Sequence, residues 1–70
     1  MAKIKVSNTI RRCRFDADEM TQKDLAEKVG VTRQTIIAIE AAKYSPTLEL
    51  AFQIAAVFGK PLGDVFTFDL

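Results

Sequence analysis

Three polar residues, Arg33, Gln34 and Thr35, follow directly on Thr32, a residue type that caps helices. In the first turn of a helix they would stand at a narrow end that fits a nucleic-acid groove. The planar fork of Arg33 can donate to guanine O6 and N7 together, and the amide of Gln34 can bond adenine N6 and N7; each good pair is worth ~1–3 kcal/mol of discrimination. Ile37 and Ala38 lie further along the same face and could touch a thymine methyl. Arg33, Gln34, Thr35, Ile37 and Ala38 are therefore the candidate base-contacting residues. Gln22 opens the preceding helical segment, where unpaired backbone N–H groups and the helix dipole favour a phosphate. Lys23, Thr32, Lys43 and Tyr44 complete the candidate phosphate-contacting set. The competing reading of these side chains is an ordinary solvated surface, and Ile37 could instead pack against the core or a partner.

Such chemistry needs rigid elements to hold it. Thr21 is an N-cap with Asp24 three residues on, an approximate capping box, and Leu25, Ala26 and Val29 mark one helical face. Gly30 stops that helix, because glycine takes the left-handed conformation at little cost. Thr32 caps the next helix, which turns Ile36 and Ile39 inward and ends near Ala41. Upstream, Ser7 or Asn8 caps a helix from Thr9 to about Phe15 whose inward side carries Ile10, Cys13 and Arg14, followed by an acidic connection, Asp16, Ala17, Asp18 and Glu19. Downstream, Tyr44, Ser45 and Pro46 form a turn, and Thr47 caps a helix to about Phe58 with Leu48, Ala51, Ile54, Ala55 and Phe58 as its buried side. Residues 61–66 form a short fifth helix at best. Lys3, Ile4, Lys5 and Val6 alternate as a strand does, and the β-prone tail, residues 65–70, is the natural partner for it.

Through these residues the chain resembles the Cro/C1-type (xenobiotic response element) helix-turn-helix transcriptional regulators. The resemblance rests on Thr21, Gln22, Asp24, Leu25 and Ala26, then residues 30–36, then Ile39 and Glu40 and residues 43–48, and it covers roughly residues 8–66. Among them it is similar to the small single-domain type represented by the cytolysin-operon repressor. The resemblance implies a mainly α fold, a five-helix lambda-repressor-like domain with a small two-stranded antiparallel sheet formed by the N- and C-terminal strands. It implies residues 1–70 as one DNA-binding domain with its helix-turn-helix core at 21–41. Double-stranded operator DNA would be the partner, bound by a homodimer on a palindromic site. It further implies that Arg14 of the first helix pairs with Glu40, a structural ion pair tying helix 1 to the recognition helix. Three departures stand out. The acidic segment from Asp16 to Glu19 would repel phosphates, so it is expected to face away from the duplex. The connection between Arg14 and Thr21 is longer than the family's by one residue and lacks its glycine. Ala42 stands where the family has glycine, and a positive φ there would cost about 1 kcal/mol.

Composition bounds the remaining possibilities. Seventy residues suffice for one small domain. A chain of this size buries only roughly 60% of its unfolded surface, so a second copy would help it. Large apolar groups concentrate near the C-terminus, making Leu62, Val65, Phe66 and Phe68 the candidate dimer interface. Ten Lys and Arg against nine Asp and Glu give a net charge of +1, which argues against non-specific coating of nucleic acid. One cysteine and no histidine exclude a Cys-based zinc site and most metal chemistry, and they remove the commonest general base. No cofactor, no small-molecule ligand and no enzymatic activity are expected. No apolar run approaches the ~20 residues of a membrane span, and a cytoplasmic protein of the prokaryotic cytosol or nucleoid is expected.

Three functions follow. The first is a sequence-specific regulator, a repressor by expectation. The second is an antitoxin-type regulator that adds a protein partner. The third is a helix-turn-helix interaction module without DNA binding, which the modest charge and acidic loop favour and Arg33, Gln34 and Thr35 oppose.

Overall fold

A computed structural model describes residues 6–68. The order of elements is β1 (Val6–Asn8), α1 (Ile10–Asp16), α2 (Gln22–Val29), α3 (Arg33–Glu40), α4 (Leu48–Val57), α5 (Leu62–Val65) and β2 (Phe66–Phe68). This is the expected mainly α architecture of five helices with a two-stranded sheet. The strands run antiparallel, pairing Val6 with Phe68, Ser7 with Thr67 and Asn8 with Phe66. The strand expected over residues 3–6 falls outside the described residues except for Val6, and the described pairing begins there. Asp69 and Leu70 also lie outside.

Local chemistry sets the helix ends. Thr21, Thr32 and Thr47 each accept the N–H of the residue three positions on, and Asp24 returns the bond to Thr21 to close a capping box. Asn8 Oδ1 accepts the Ile10 N–H at 3.1 Å, while its amide donates to the Ile39 carbonyl at 2.8 Å. One side chain thus starts α1 and ties it to the end of α3. α2, α3 and α4 all finish in the same way: the chain turns left-handed at Gly30, Ala42 and Gly59, and the following N–H reaches back to the carbonyl of Ala26, Ala38 and Ala55. Two of these turns use glycine. The third uses alanine, at φ 58°, so the substitution leaves the turn's shape unchanged and strains its backbone instead.

Ile10, Cys13, Leu25, Ala26, Val29, Ile36, Ile39, Ile54, Ala55 and Val65 form one buried cluster, with α2 packed on both α3 and α4. Burial of each large side chain contributes ~1.5–3 kcal/mol. Two expectations are corrected here. Val65 is 0% exposed. It closes the core of its own protomer, where the Thr9 N–H bonds its carbonyl at 2.9 Å, and it has no surface to offer a partner. Leu48, expected inside, is 67% exposed: as the first residue of α4 it stands beyond the packed neighbours and borders a shallow apolar cleft with Val6, Pro46, Ala51, Leu62 and Phe66. Among the described residues no helix is long and apolar enough to cross a membrane.

Candidate nucleic-acid interface

The site is built on α3 and the ends of its neighbours. Thr32 Oγ1 holds the Thr35 N–H at 3.2 Å and lies 3.0 Å from the Thr35 hydroxyl. The first turn of α3 is thereby fixed, and Arg33 and Gln34 on it are exposed. Thr35, Ile37 and Ala38 are half-buried. Ile37 is absent from the buried cluster and from the apolar groups packed against it, so its outer surface remains for contact.

Beneath this face lies an ion pair linking three elements. Arg14 Nε donates to Glu40 Oε2 at 2.7 Å and Arg14 Nη2 to Glu40 Oε1 at 3.0 Å, while Arg14 Nη1 donates to the Met20 carbonyl at 2.9 Å. The side chains are only 16% and 10% exposed. A planar guanidinium suits this two-pronged geometry, which fixes orientation as well as charge. Gln22 Nε2 adds a longer bond of 3.4 Å to the same Glu40 oxygen. The start of α2 is thus indexed to α3 through one carboxylate.

At the head of α2, Thr21 Oγ1 takes the Asp24 N–H and the Thr21 carbonyl takes the Leu25 N–H. The Gln22 and Lys23 N–H groups are those left for an external anion. Lys23 is exposed beside them, and Thr32 is exposed at the head of α3. Lys43 and Tyr44 are exposed directly after the Ala42 turn, so their position depends on that strained residue.

An open groove of about 630 Å³ runs between these ends. It is lined by Arg11, Arg14, Glu19, Met20, Thr21, Gln22, Lys23, Arg33 and Glu40. The geometry therefore brings Gln22, Lys23 and Arg33 together. Gln34, Thr35, Lys43 and Tyr44 lie outside this groove. Arg11 was not among the expected site residues. Its signal was its place three residues before Arg14, on the same side of α1.

The acidic connection divides. Asp16 pairs with Arg12 at 3.2 Å, and Asp18 lines a second depression with Ala17, Met20, Asp24, Glu27 and Lys28. Glu19 departs from the expectation that this segment faces away, since it stands on the rim of the basic groove. Asp18 and Glu19 both have positive φ, 61° and 57°; the longer connection turns left-handed without the glycine that would do so at least cost. Among the described residues no group of three or more Cys, Asp or Glu side chains is arranged to hold a metal ion.

Two capped helices at a glycine turn, an exposed polar start to the second, and a bundle closed by α1, α4 and α5 define a helix-turn-helix domain. Residues 10–65 match the family model described as Helix-turn-helix. The chain is 58% identical over 50 residues to an uncharacterized HTH-type transcriptional regulator of Methanocaldococcus jannaschii, covering 71% of this chain and 76% of that one. It is 52% identical over 50 residues to one from Archaeoglobus fulgidus, covering 71% and 70%. With the HTH-type transcriptional regulator YgzD of Bacillus subtilis the identity is 50% over 46 residues, covering 66% and 70%. The chain belongs to the Cro/C1-type helix-turn-helix family of transcriptional regulators.

Proposed function

We propose that the protein is a sequence-specific repressor that binds a palindromic operator as a homodimer, with residues 1–70 acting as one DNA-binding unit of the cytosol or nucleoid. The observation that carries this reading is the exposed pair Arg33 and Gln34 on the first turn of α3, held on a rigid frame by the Thr32 cap and the Arg14–Glu40 clamp. A recognition helix reads base edges from its N-terminal turn while the preceding helix crosses the backbone. Arg33 and Gln34 are then the base readers, with Thr35, Ile37 and Ala38 following them into the groove. Gln22, Lys23 and Thr32 engage phosphates at the two helix starts, and Lys43 and Tyr44 engage them beyond the end of α3.

For the dimer, Leu62, Phe66 and Phe68 are retained, and Leu48 and Phe52 take the place of Val65. The support is exposure: Leu48, Phe52 and Phe68 are 67%, 52% and 61% in water, large apolar surfaces that a second copy would cover. The same strip would serve the protein partner of an antitoxin-type regulator. Sedimentation separates the two, since a homodimer forms from the purified protein alone and Leu48→Glu, at an exposed position, should leave a folded monomer.

Selection of bound duplexes from a random pool tests the whole reading. It should enrich two-fold symmetric sites with half-sites one DNA turn apart, ~34–36 Å. A pool that shows no enrichment contradicts sequence-specific binding.

A further inference from the structure

The DNA surface of α2 and α3 takes nothing from α1, yet of two adjacent arginines of that helix, which border one depression beside Phe15, only Arg11 also reaches the groove at the head of α2. Arg12 is held by Asp16 one turn along, at 3.2 Å. Arg11 lies about 100° around the helix from it and lines the groove at the head of α2, together with Lys23 and Arg33. Of the two carboxylates of this groove, Glu40 is gripped at both oxygens by Arg14, and Glu19 stands on the rim. Four cationic side chains, Arg11, Arg14, Lys23 and Arg33, face two carboxylates, Glu19 and Glu40, around this groove. The groove therefore holds an excess of positive charge contributed by three different helices.

We propose that Arg11 contacts a DNA phosphate, extending the bound surface from α2 onto α1. The proposal rests on the DNA-binding reading and adds a residue to it. Arg33 at the groove wall would be directed to the bases, so the strand bordering its major groove passes the head of α2. A phosphate seated there meets the Gln22 and Lys23 N–H groups from one side and the Arg11 guanidinium from another. A guanidinium suits such a site because its parallel N–H groups match two phosphate oxygens. Lys43 and Tyr44 do not line this groove, so the Arg11 contact is separate from theirs.

The test uses the full chain and the duplex enriched by selection, with affinity measured across a salt series. Each phosphate contact contributes about 0.9 to the slope of log K against log salt. Arg11→Ala should lower the slope by about 0.9 per bound protomer and weaken matched and scrambled duplexes alike. Arg11→Lys should keep most of the slope, and Arg12→Ala should leave it unchanged. A duplex with one methylphosphonate at the contacted phosphate should weaken the wild type and not weaken Arg11→Ala further. The proposal is overturned if Arg11→Ala keeps the wild-type slope, or loses it no more than Arg12→Ala does, while Arg33→Ala still flattens base preference; the DNA-binding reading then stands without it. A wild-type protein that binds no duplex overturns both.

Discussion

The two depressions that meet at Met20 carry opposite charge. On one side Arg11, Lys23 and Arg33 surround the Arg14–Glu40 clamp; on the other Asp18, Asp24 and Glu27 stand against Lys28 alone. α2 contributes to both, giving Gln22 and Lys23 to the first and Asp24, Glu27 and Lys28 to the second. The net charge of +1 therefore describes neither depression. A polyanion would meet an attractive surface in one orientation and a repulsive one in the other, which favours a single docking geometry over general adhesion.

The comparison breaks most severely if the floor of the basic groove is removed. Glu40→Ala leaves the partly buried Arg14 without its carboxylate, and loss of a fully buried pair's partner costs about 3 kcal/mol, an upper bound here. Chemical denaturation should show that loss, and Arg14→Ala should resemble it. Backbone strain gives the next effect. Gly30→Ala should destabilise by about 1 kcal/mol, because the position holds φ 74° although nothing lies within 4 Å of an added Cβ. Ala42→Gly, in the equivalent turn after α3, should stabilise by about 1 kcal/mol.

Glu19→Gly sharpens the contrast between the two faces. It relieves a positive φ of 57° and removes a carboxylate from the basic rim, so melting temperature and DNA affinity should rise together; Glu19→Gln should raise affinity without the gain in stability. A charge change within each face then compares them directly. Lys23→Ala should lower the salt slope of binding by about 0.9 per protomer. Glu27→Gln, one turn along α2 in the second depression, should leave that slope unchanged and alter stability by no more than about 0.5 kcal/mol.

Much of the frame was legible because its signals are local. Thr21, Thr32 and Thr47 act within three residues of themselves, and Gly30 acts on its own φ. The Arg14–Glu40 pair is of another kind: 26 residues separate its members, and resemblance, not spacing, anticipated it. Val65 was misplaced because a cluster of apolar residues does not say which of them the core takes, and Leu48 for another reason. Periodicity says which residues share a helical face, but where the neighbouring elements end decides whether that face is covered. The bond from Asn8 to the Ile39 carbonyl and the turn of Arg11 toward the groove depend on the assembled bundle in the same way. Glu19 escaped because a lengthened connection without glycine does not reveal which of its residues will turn left-handed.

The central claim is that the basic face reads bases through Arg33, and its most direct test is the affinity of wild type and Arg33→Ala for the enriched duplex and its single-base variants at fixed salt. Arg33→Ala should lose ~1–3 kcal/mol on the matched duplex and flatten preference at one position of each half-site. Undiminished preference at every position would contradict it.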